Sequence, residues 1–311
     1  MTTAEKLLAL LREGAGSPRS GQELAEILGV SRAAVWKAVS ALRAQGISID
    51  AATNRGYCLA GDVLDPREVE ALAPGTAVEL LSSVDSTNRY LRERAAAGAP
   101  AGTAFIARQQ TAGRGRLGRT FYSPQSTGLY LSVLLRPETY DATLTAAAAV
   151  AMARAVEESV GISLSITWVN DLYLGEKKVC GILTEGSFSL ENGAMEYAVV
   201  GAGLNLTEPP EGFPEPLAGI AGAVLPAPRP GAKTAIAGRF LRYLLDCTRQ
   251  GPAAFLPEYR TRNLVPGRTV TVHSGDTPRT AQAIAIDDQC RLIVRYPNGQ
   301  TQPLTTGEVT L

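Results

Sequence analysis

Residues 113–120 read GRGRLGRT, with three glycines and three arginines in eight positions. The string has the glycine spacing of a dinucleotide-binding loop, and it nearly matches a P-loop with arginine in place of lysine. Both motifs must open a helix whose first turn holds a phosphate, whereas the following FYSP (121–124) favours an extended or turning chain. A flexible surface turn is the remaining alternative, but it has no need of three arginines. The string therefore indicates a ligand loop of another kind.

The arginines of this loop suit a ligand that carries phosphate and carboxylate groups. Glycine lets backbone amides approach a ligand closely, and Arg114, Arg116 and Arg119 can bind acidic groups in bidentate fashion. Because like charges repel, we expect the empty loop to be poorly ordered and the ligand to order it. A loop that closes over its ligand would also exclude water from a reactive mixed anhydride.

The composition is that of a globular protein without a global charge bias. Of the 311 residues, 45% are hydrophobic and 19% are charged, and the length allows two or three domains. The 30 basic residues balance the 30 acidic ones, so any contact with DNA must come from a local cluster. No membrane span is expected, since the alanine-rich segment 142–155 contains threonine and arginine and predicts a helix.

Cysteine and histidine usage argues against several classes of site. The four cysteines lack metal or disulfide spacing, which fits a reducing cytoplasm: Cys58, Cys180, Cys247 and Cys290. His273 is the sole histidine and lies in a strand-like segment late in the chain. A Ser-His-Asp triad and a polyhistidine metal centre are therefore not expected.

Residues 1–62 predict a winged helix-turn-helix domain. Two helices begin at the cap pairs Thr2–Glu5 and Ser20–Glu23, a third runs from Ser31 to about residue 46, and a hairpin follows. The third helix has an apolar and a basic face, and its shape suits the major groove of DNA. The residues predicted to contact DNA are Arg32, Trp36, Lys37, Ser40, Arg43 and Arg55. The alternative is a solvated face on a winged helix that binds protein.

The rest of the chain completes an α+β fold. After a linker at 61–75, strands and helices alternate through a domain at 63–264, in which the proline- and glycine-rich segment 207–231 predicts a mobile loop. Residues 265–311 contain three or four short strands separated by turn signals. They predict a small C-terminal β-barrel domain.

Polar residues gather where the predicted strands and helices end. The string STN (86–88) opens a helix, Gln110 precedes the arginine loop, and ND (170–171) comes shortly before Lys178. The string GAGLN (201–205) ends another strand, with glycines that permit a ligand close to the backbone. Taken singly, each has an ordinary explanation as a helix cap, a turn or a surface charge.

Taken together and in order, these segments resemble the biotin protein ligases, most closely the bifunctional bacterial type that also represses the biotin operon. The resemblance covers nearly the whole chain, including the winged helix and the C-terminal strands. Lipoate ligases share the fold but lack the glycine–arginine loop. The matching motifs are STN (86–88), Gln110, GRGRLGR (113–119), SP (123–124), LYLS (129–132), WVNDLY (168–173), KKVCGIL (177–183) and GAGLN (201–205).

The resemblance implies a fold, a reaction and partners. The central domain would be a mixed sheet with helices like that of class II aminoacyl-tRNA synthetases. Biotin and MgATP would give biotinyl-5'-AMP and pyrophosphate, and a lysine of biotin carboxyl carrier protein, part of acetyl-CoA carboxylase or a related enzyme, would then accept the biotin. Mg²⁺ would come with ATP rather than be held in a protein-only cage. Operator DNA and a ligand-promoted homodimer are the other expected partners.

Carried over position by position, the resemblance implies three sets of site residues. Biotin would be bound by Ser86, Thr87, Asn88, Gln110, Gly113, Arg114, Gly115, Arg116, Lys178, Gly181, Gly201 and Gly203. ATP would be bound by Arg116, Arg119, Phe121, Asn170 and Asn205, with Mg²⁺ near the last of these. The catalytic residues would be Arg116, Lys178 and Asp171, the last orienting or deprotonating the attacking lysine.

The chain departs from the family pattern at three places. Thr167 and Val169 replace a lysine and a proline, and Phe121 or Tyr122 stands where a tryptophan often follows the arginine loop. The segment expected to cover adenine also lacks a tryptophan, which leaves Phe213 or Ile220 for that contact. Two other functions stay open: a biotin-sensing repressor without catalysis, and a ligase whose winged helix binds only protein.

Overall fold

The computed structural model describes residues 2–14, 17–44, 47, 49–52, 56–59, 61–137, 142–189, 195–273, 278–305 and 308–310. The chain divides into two units, residues 1–65 with 227–234, and residues 66–226 with 235–311. The domain boundaries expected after residues 62 and 264 stay predictions. Among the helices of the described ranges, none combines the length and the hydropathy needed to cross a bilayer.

The first unit contains three helices and a hairpin. They are α1 Thr3–Glu13, α2 Gly21–Leu28, α3 Arg32–Ala44, β1 Ile49–Ala52 and β2 Gly56–Leu59. The predicted caps are confirmed, because Thr2 and Glu5 form a reciprocal capping box and the Ser20 hydroxyl accepts a hydrogen bond from the N–H of Glu23. Buried apolar side chains, each contributing about 1.5–3 kcal/mol, include Leu7, Leu11, Leu24, Val35, Val39 and Leu42. The predicted helix-turn-helix with its hairpin is therefore confirmed, although the hairpin tip at 53–55 lies outside the described residues.

The prediction of a plain linker at 61–75 is wrong, because this segment contains the helix α4, Pro66–Leu72. Proline suits the first turn of a helix, where its missing N–H costs no hydrogen bond. Val69 is fully buried, and a Cβ added at Gly238 would be 2.5 Å from the Leu72 side chain. A helix this short carries too little periodicity to be predicted, and tertiary packing stabilises it.

The second unit is built on a seven-stranded mixed sheet. Its strands are β3 Ala77–Leu81, β4 Thr103–Ala107, β5 Gly128–Leu135, β6 Ser165–Thr167, β7 Asp171–Leu174, β8 Lys177–Phe188 and β9 Met195–Asn205, in the spatial order β3-β4-β5-β9-β8-β7-β6. The pair β3–β4 is parallel, and the other described neighbours are antiparallel. The helices that follow are α5 Thr87–Ala96, α6 Ala142–Val160, α7 Ala232–Gln250 and α8 Leu256–Arg262.

The two faces of this sheet carry different helices. The Thr184 hydroxyl of β8 lies 3.0 Å from that of Thr145 in α6, whereas its neighbour Glu185 accepts a hydrogen bond from Asn88 of α5 at 2.9 Å. Successive side chains of a strand point to opposite faces. Therefore α6 covers one face, and the first turn of α5 lies over the other.

The strand register brings three glycines together on the α5 face. Two rows cross the middle of the sheet: Tyr130, Gly203, Gly181 and Asp171 in the first, and Ser132, Gly201 and Leu183 in the second. Residues two apart in a strand share a face, so the rows lie side by side. We call them the glycine rows. Because the three glycines have no side chains, other groups on the α5 face can approach the backbone of this region closely.

The C-terminal residues form a five-stranded antiparallel sheet. Its strands are β10 Thr269–His273, β11 Arg279–Ile286, β12 Leu292–Arg295, β13 Thr301–Leu304 and β14 Glu308–Thr310, in the order β13-β12-β11-β10-β14. The predicted C-terminal β domain is confirmed as an antiparallel sheet, its closure into a barrel stays a prediction, and the count of three or four strands is wrong. Pro303 weakens the strand signal of β13, which is an edge strand where proline is tolerated. His273 contributes to the pairing of β10 with β14, because its Nε2 lies 3.0 Å from the Thr310 hydroxyl.

Asp62 makes the stability of the first unit depend on pH. Its carboxylate accepts a hydrogen bond at 2.6 Å from the N–H of Lys233, at the start of α7. Burial raises the pKa of Asp62, and the N–H and the positive charge of Lys233 offset this only in part. A carboxyl group with a raised folded pKa stabilises the fold most below its unfolded pKa, and that stabilisation is lost as pH rises through the folded pKa.

We therefore expect Asp62→Asn to increase the free energy of unfolding at pH 8 and to lose that advantage at pH 3. Asparagine keeps an oxygen acceptor for Lys233 but carries no charge to desolvate. Urea titrations at several pH values measure the difference. The control is Asp65→Asn, which breaks the ion pair with Arg12 and should destabilise the unit at pH 8. A loss of stability at pH 8 in Asp62→Asn as well would contradict the prediction.

Candidate active site

The first turn of α5 holds buried polar side chains over the glycine rows. Ser86, Thr87 and Asn88 are each at most 4% exposed. Thr87 donates through its N–H and its hydroxyl to Oε1 of Gln110, at 2.9 and 3.1 Å. The Ser132 hydroxyl donates to Oδ1 of Asn88 at 2.6 Å and lies 2.8 Å from that of Thr87. Ser86 occupies the N-cap position but its side chain makes no capping bond, so a helix cap does not account for it.

The arginine loop folds as a small hairpin. The N–H of Phe121 donates to the carbonyl of Gly113 at 2.9 Å, and a tight turn at 116–118 connects the two sides. Gly118 in that turn has a φ of 76°, where glycine is favoured. No helix follows the loop in the described chain before β5, which rules out both nucleotide motifs considered from the sequence. Ordering of the loop by a ligand stays a prediction.

The return strand of this hairpin is fastened to the residues around α5. Gln110 donates from Nε2 to the Ser123 hydroxyl at 2.9 Å, and that hydroxyl donates to the Phe121 carbonyl at 3.0 Å. A Cβ added at Gly113 would be 2.4 Å from the same carbonyl, so only glycine allows this close approach. Ser123 is buried, and the sequence patterns had assigned it no role.

Glu185 links the arginine loop to α5, and the sequence patterns did not identify it. Its Oε1 accepts hydrogen bonds from Arg92 at 3.1 Å and from Arg114 at 3.4 Å, and its Oε2 accepts one from Asn88 at 2.9 Å. The side chain is only 19% exposed, so solvent screens these pairs less than it screens surface pairs. Asn88 lies 97 positions earlier in the chain, which explains why no local signal reveals the contact.

A chain of hydrogen bonds joins Arg116, Asn170, Asp171 and Lys178, and we call it the cation network. Arg116 donates to the side-chain oxygen of Asn170 at 2.9 Å. Asn170 donates to Oδ1 of Asp171 at 2.8 Å, and Lys178 donates to its Oδ2 at 2.5 Å. The Lys178 and Asp171 side chains are 30% and 24% exposed, so a ligand can reach them. Lys178 contacts the Asp171 carboxylate directly and Arg116 joins it through Asn170, so two cationic side chains lie close together where an acidic ligand can bind.

The ring of Phe121, a residue expected at ATP, lies on the glycine rows, and its role at ATP stays a prediction. A Cβ added at Gly203 would be 2.5 Å from the Phe121 ring, and one added at Gly181 would be 3.4 Å from it. At Gly201 a Cβ would be 2.0 Å from Oδ1 of Asn88. The position of Phe121 follows from the hairpin, which turns the chain back toward the sheet. The three glycines predicted to line a ring pocket are thus covered by two side chains, Phe121 and Asn88.

The other residues expected at ATP lie at the end of β9 and beside it. Asn205 is 9% exposed and donates from Nδ2 to the Gly222 carbonyl at 3.1 Å. The N–H of Lys178 donates to the Ile220 carbonyl, and the N–H of Gly222 to the Lys178 carbonyl, both at 2.9 Å. The segment predicted to be a mobile loop therefore follows a defined path along Lys178. Ile220 is 54% exposed there, and Arg119 is exposed on its hairpin.

The thiol nearest to the cation network is not a nucleophile. Burial raises the pKa of Cys180, and the neighbouring Asp171 raises it further, so the thiol stays protonated. Across the described ranges, no three side chains of His, Cys, Asp or Glu converge on a point where they would hold a metal ion.

The basic face of α3 is exposed. It consists of Arg32, Trp36, Lys37, Ser40 and Arg43. Trp36 is 60% exposed, which is unusual for a tryptophan without a partner surface. Arg43 also donates twice to the Ile49 carbonyl, at 3.0 and 2.6 Å, and so fastens the hairpin to α3. Arg55 at the hairpin tip lies outside the described residues.

Three protein-family models match the chain in succession. An HTH domain model matches residues 3–58, the Biotin/lipoate A/B protein ligase family model matches residues 80–205, and the Biotin protein ligase C terminal domain model matches residues 266–311. The first match covers the helices and hairpin of the first unit, and the second covers α5, the arginine loop, the cation network and the glycine rows.

Known relatives extend the similarity over most of the chain. The bifunctional ligase/repressor BirA of Bacillus subtilis is 34% identical over 230 residues, which are 71% of this chain and 70% of that protein. The biotin–[acetyl-CoA-carboxylase] ligase of Mycobacterium tuberculosis is 31% identical over 244 residues, 75% of this chain and 88% of that protein. The structure of the biotin protein ligase from Aquifex aeolicus with biotin and ATP has a TM-score of 0.63 and 27% identity, over 75% of this chain and 97% of that one. With these relatives at more than 30% identity, and with the three family models matched in succession, the chain belongs to the biotin protein ligase family.

Proposed function

We propose that this ligase binds biotin against the Phe121 ring where it covers the glycine rows, between the first turn of α5 and the cation network. Ser86, Thr87 and Gln110 offer hydrogen-bonding groups for the ureido ring at one end. The cation network at the other end would receive the biotin carboxylate and the phosphates of ATP. The observation that carries this proposal is the chain of hydrogen bonds that brings Arg116 and Lys178 together through Asn170 and Asp171, next to the glycine rows. The four free cysteines are consistent with a reducing cytoplasm as the place of action.

In the first step a carboxylate oxygen of biotin attacks the α-phosphorus of ATP, and pyrophosphate leaves. The two reactants are both anions, so charge neutralisation and positioning lower the barrier more than a general base would. Arg116 and Lys178 would supply the positive charge between them. Arg119, exposed on the hairpin, would meet the departing pyrophosphate. Phe121, lying on Gly203, would separate the ring end of biotin from solvent.

Mg²⁺ would be held mainly by the phosphates of ATP. A magnesium ion keeps several waters and needs only one or two protein oxygens when a substrate supplies phosphates. Asn205 fits this need, because its Nδ2 is used by the Gly222 carbonyl and its amide oxygen is the atom suited to a cation. Bound there, the ion would neutralise charge on the pyrophosphate leaving group.

In the second step the amine nitrogen of the carrier lysine attacks the carbonyl carbon of biotinyl-5'-AMP, and AMP leaves. The attacking ammonium must lose a proton, and we assign that proton to Asp171. Its carboxylate lies beside Lys178 and Asn170, which fix the orientation of both oxygens. A base fixed at one position in this way can accept a proton without reorganisation.

Asp171→Asn is expected to slow biotin transfer about 10²-fold or more, the usual effect of removing a general base. Transfer is measured from preformed biotinyl-5'-AMP to the carrier protein, so that any effect on adenylate formation through Lys178 is bypassed. Glu176→Gln, in the exposed turn between β7 and β8, is the matched control and should transfer biotin at the parental rate. An unchanged transfer rate in Asp171→Asn would remove the proposed role.

We further propose that the chain represses transcription by binding operator DNA as a ligand-promoted homodimer. The exposed face of α3 supplies Arg32 and Lys37 for phosphates or base edges, with Trp36 beside them. A dimer would place two such helices on half-sites a whole number of DNA turns apart. Biotinyl-5'-AMP would favour the dimer by ordering the arginine loop.

With biotin and MgATP present, we expect the chain to sediment as a dimer and to bind palindromic duplexes selected in vitro more tightly. The double variant Arg32→Ala/Lys37→Ala should still dimerise but bind DNA more weakly. The slope of log K against log salt concentration should fall by about one unit for each phosphate contact that is lost. Lys6→Ala, an exposed lysine of α1, is the control and should bind DNA like the parent. If biotin and ATP change neither dimerisation nor DNA affinity, the proposed coupling between ligand binding and repression is wrong.

A further inference from the structure

Two groups from the last third of the chain hold the segment directly before Asn170. Trp168 is 4% exposed, and its indole N–H donates to the backbone carbonyl of Cys290 at 2.8 Å. Tyr259 of α8 donates its buried hydroxyl to the carbonyl of Val169 at 3.2 Å. These contacts span 122 and 90 positions of sequence. The approach to the cation network is therefore fixed from the C-terminal β sheet and from α8.

Hydrogen bonds fix the conformation of the turn that supplies the Cys290 carbonyl. It connects β11 to β12, and the Asp287 side chain accepts hydrogen bonds in it from the N–H groups of Gln289 and Arg291 at 3.0 and 2.9 Å. Cys290 is fully buried with a φ of 57°. A residue with a Cβ adopts this left-handed conformation only where its surroundings enforce it. The turn therefore presents the carbonyl in one defined direction.

The same turn is also fastened to α8. Arg260 donates to the Ile286 carbonyl and to the Asp288 carboxylate, both at 2.8 Å. Since Tyr259 is its neighbour in the helix, α8 and the turn contact the segment 168–169 as one connected body. A connected body of this kind can set the position of a short turn between two strands, here β6 and β7.

We propose that Trp168 is a positioning residue, through which the C-terminal β sheet sets the place of Asn170 and Asp171 in the cation network. This inference rests on the roles proposed above for those two residues. Asn170 is two positions from Trp168 and accepts the hydrogen bond from Arg116. A displacement of a reacting group by about 1 Å can cost about 10²-fold in rate. The bond to Cys290 therefore tunes catalysis without touching a substrate.

Trp168→Phe tests the inference, because it removes the indole N–H and keeps a buried aromatic ring. We expect kcat for adenylate formation, and the transfer rate from preformed biotinyl-5'-AMP, to fall about tenfold to a hundredfold at a temperature well below unfolding. The dissociation constant for biotin should change by a much smaller factor than kcat, because α5 and Gln110, which hold the ring end, are not touched. A variant with parental rates and only a lower melting temperature would overturn the inference, since the bond would then serve stability alone.

A second variant keeps the test decisive if Trp168→Phe does not fold. Tyr259→Phe removes only the hydroxyl that holds Val169, and it should lower kcat in the same way by a smaller factor. Its control is Tyr296→Phe, which removes another buried hydroxyl in the C-terminal sheet, the one that accepts from Arg279 at 3.1 Å. Equal kcat values for the two tyrosine variants would overturn the inference.

Nuclear magnetic resonance provides a readout that a structural role would not change. The chain has two tryptophans, so the indole N–H signal absent from Trp168→Phe belongs to Trp168. We expect this signal to exchange slowly and to shift when biotinyl-5'-AMP binds. If the chemical shift of this signal does not change when biotinyl-5'-AMP binds, the inference is overturned. If Asp171→Asn affects neither step, the proposed function fails; if it acts while Trp168→Phe does not, only this inference fails.

Discussion

Lys178→Ala is expected to slow the formation of biotinyl-5'-AMP about 10²–10³-fold, as when one donor to developing charge is removed from an active site. Nζ of Lys178 lies 2.5 Å from Oδ2 of Asp171, and Arg116 completes the cation network on the other side of Asn170. Without Lys178, the biotin carboxylate and the α-phosphate would meet with a single arginine between them. Pyrophosphate release in a single turnover measures this step directly. Arg116→Ala should show a loss of similar size.

The matched control for this prediction is the neighbouring Lys177. Its Nζ donates to the Gly219 carbonyl at 2.6 Å and takes no part in the cation network. Lys177→Ala therefore removes the same charge one position away, and its rate should stay close to that of the parent. Equal rates for Lys177→Ala and Lys178→Ala would contradict the assignment of Lys178.

Gly201→Ala is expected to weaken biotin binding about tenfold to a hundredfold. The added Cβ would be 2.0 Å from Oδ1 of Asn88, which cannot move away easily because it accepts a hydrogen bond from Ser132 while Nδ2 donates to Glu185. Overpacking of this kind costs about 1–3 kcal/mol, and about 1.4 kcal/mol corresponds to a tenfold change in affinity. Isothermal titration with biotin measures the loss.

The other glycines should give graded effects. At Gly203 the Cβ would meet the Phe121 ring at 2.5 Å, and this ring is only half-buried and can shift, so Gly203→Ala should be milder than Gly201→Ala. At Gly181 the nearest atom is at 3.4 Å, so Gly181→Ala should be milder again. Gly219→Ala, with nothing within 4 Å, is the control. A loss in Gly181→Ala as large as that in Gly201→Ala would contradict the packing described here.

Sequence was sufficient where the causes of structure are local. The caps at Thr2 and Ser20 and the apolar spacing of α3 depend on residues within four positions of each other, and they predicted the first unit well. The string around Arg116 predicted that acidic groups are bound, because its glycines and arginines have few other uses. The helix α4 was missed because seven residues give too short a periodic signal.

Sequence was insufficient where distant segments meet. Glu185 belongs to the site because strand alternation turns it toward Asn88, and that depends on the register of β8 in the sheet. The contact of Phe121 with the glycine rows was not predicted, because its position in the string was known but the course of the hairpin was not. The bond between Trp168 and Cys290 spans two sheets, so no periodicity or spacing in either segment predicts it.

The glycine rows also limit which mutations can change the substrate specificity of this enzyme. At its three glycines the floor that these rows form has no side chain to shorten, so mutation there can only raise it and thereby reduce the room for a ligand. Space for a bulkier relative of biotin must come from the two side chains that cover this floor, Phe121 and Asn88. Asn88 is tied into hydrogen bonds with Ser132 and Glu185, whereas Phe121 contributes mainly its ring. Phe121 is therefore the position at which to begin a library for enlarged biotin analogues.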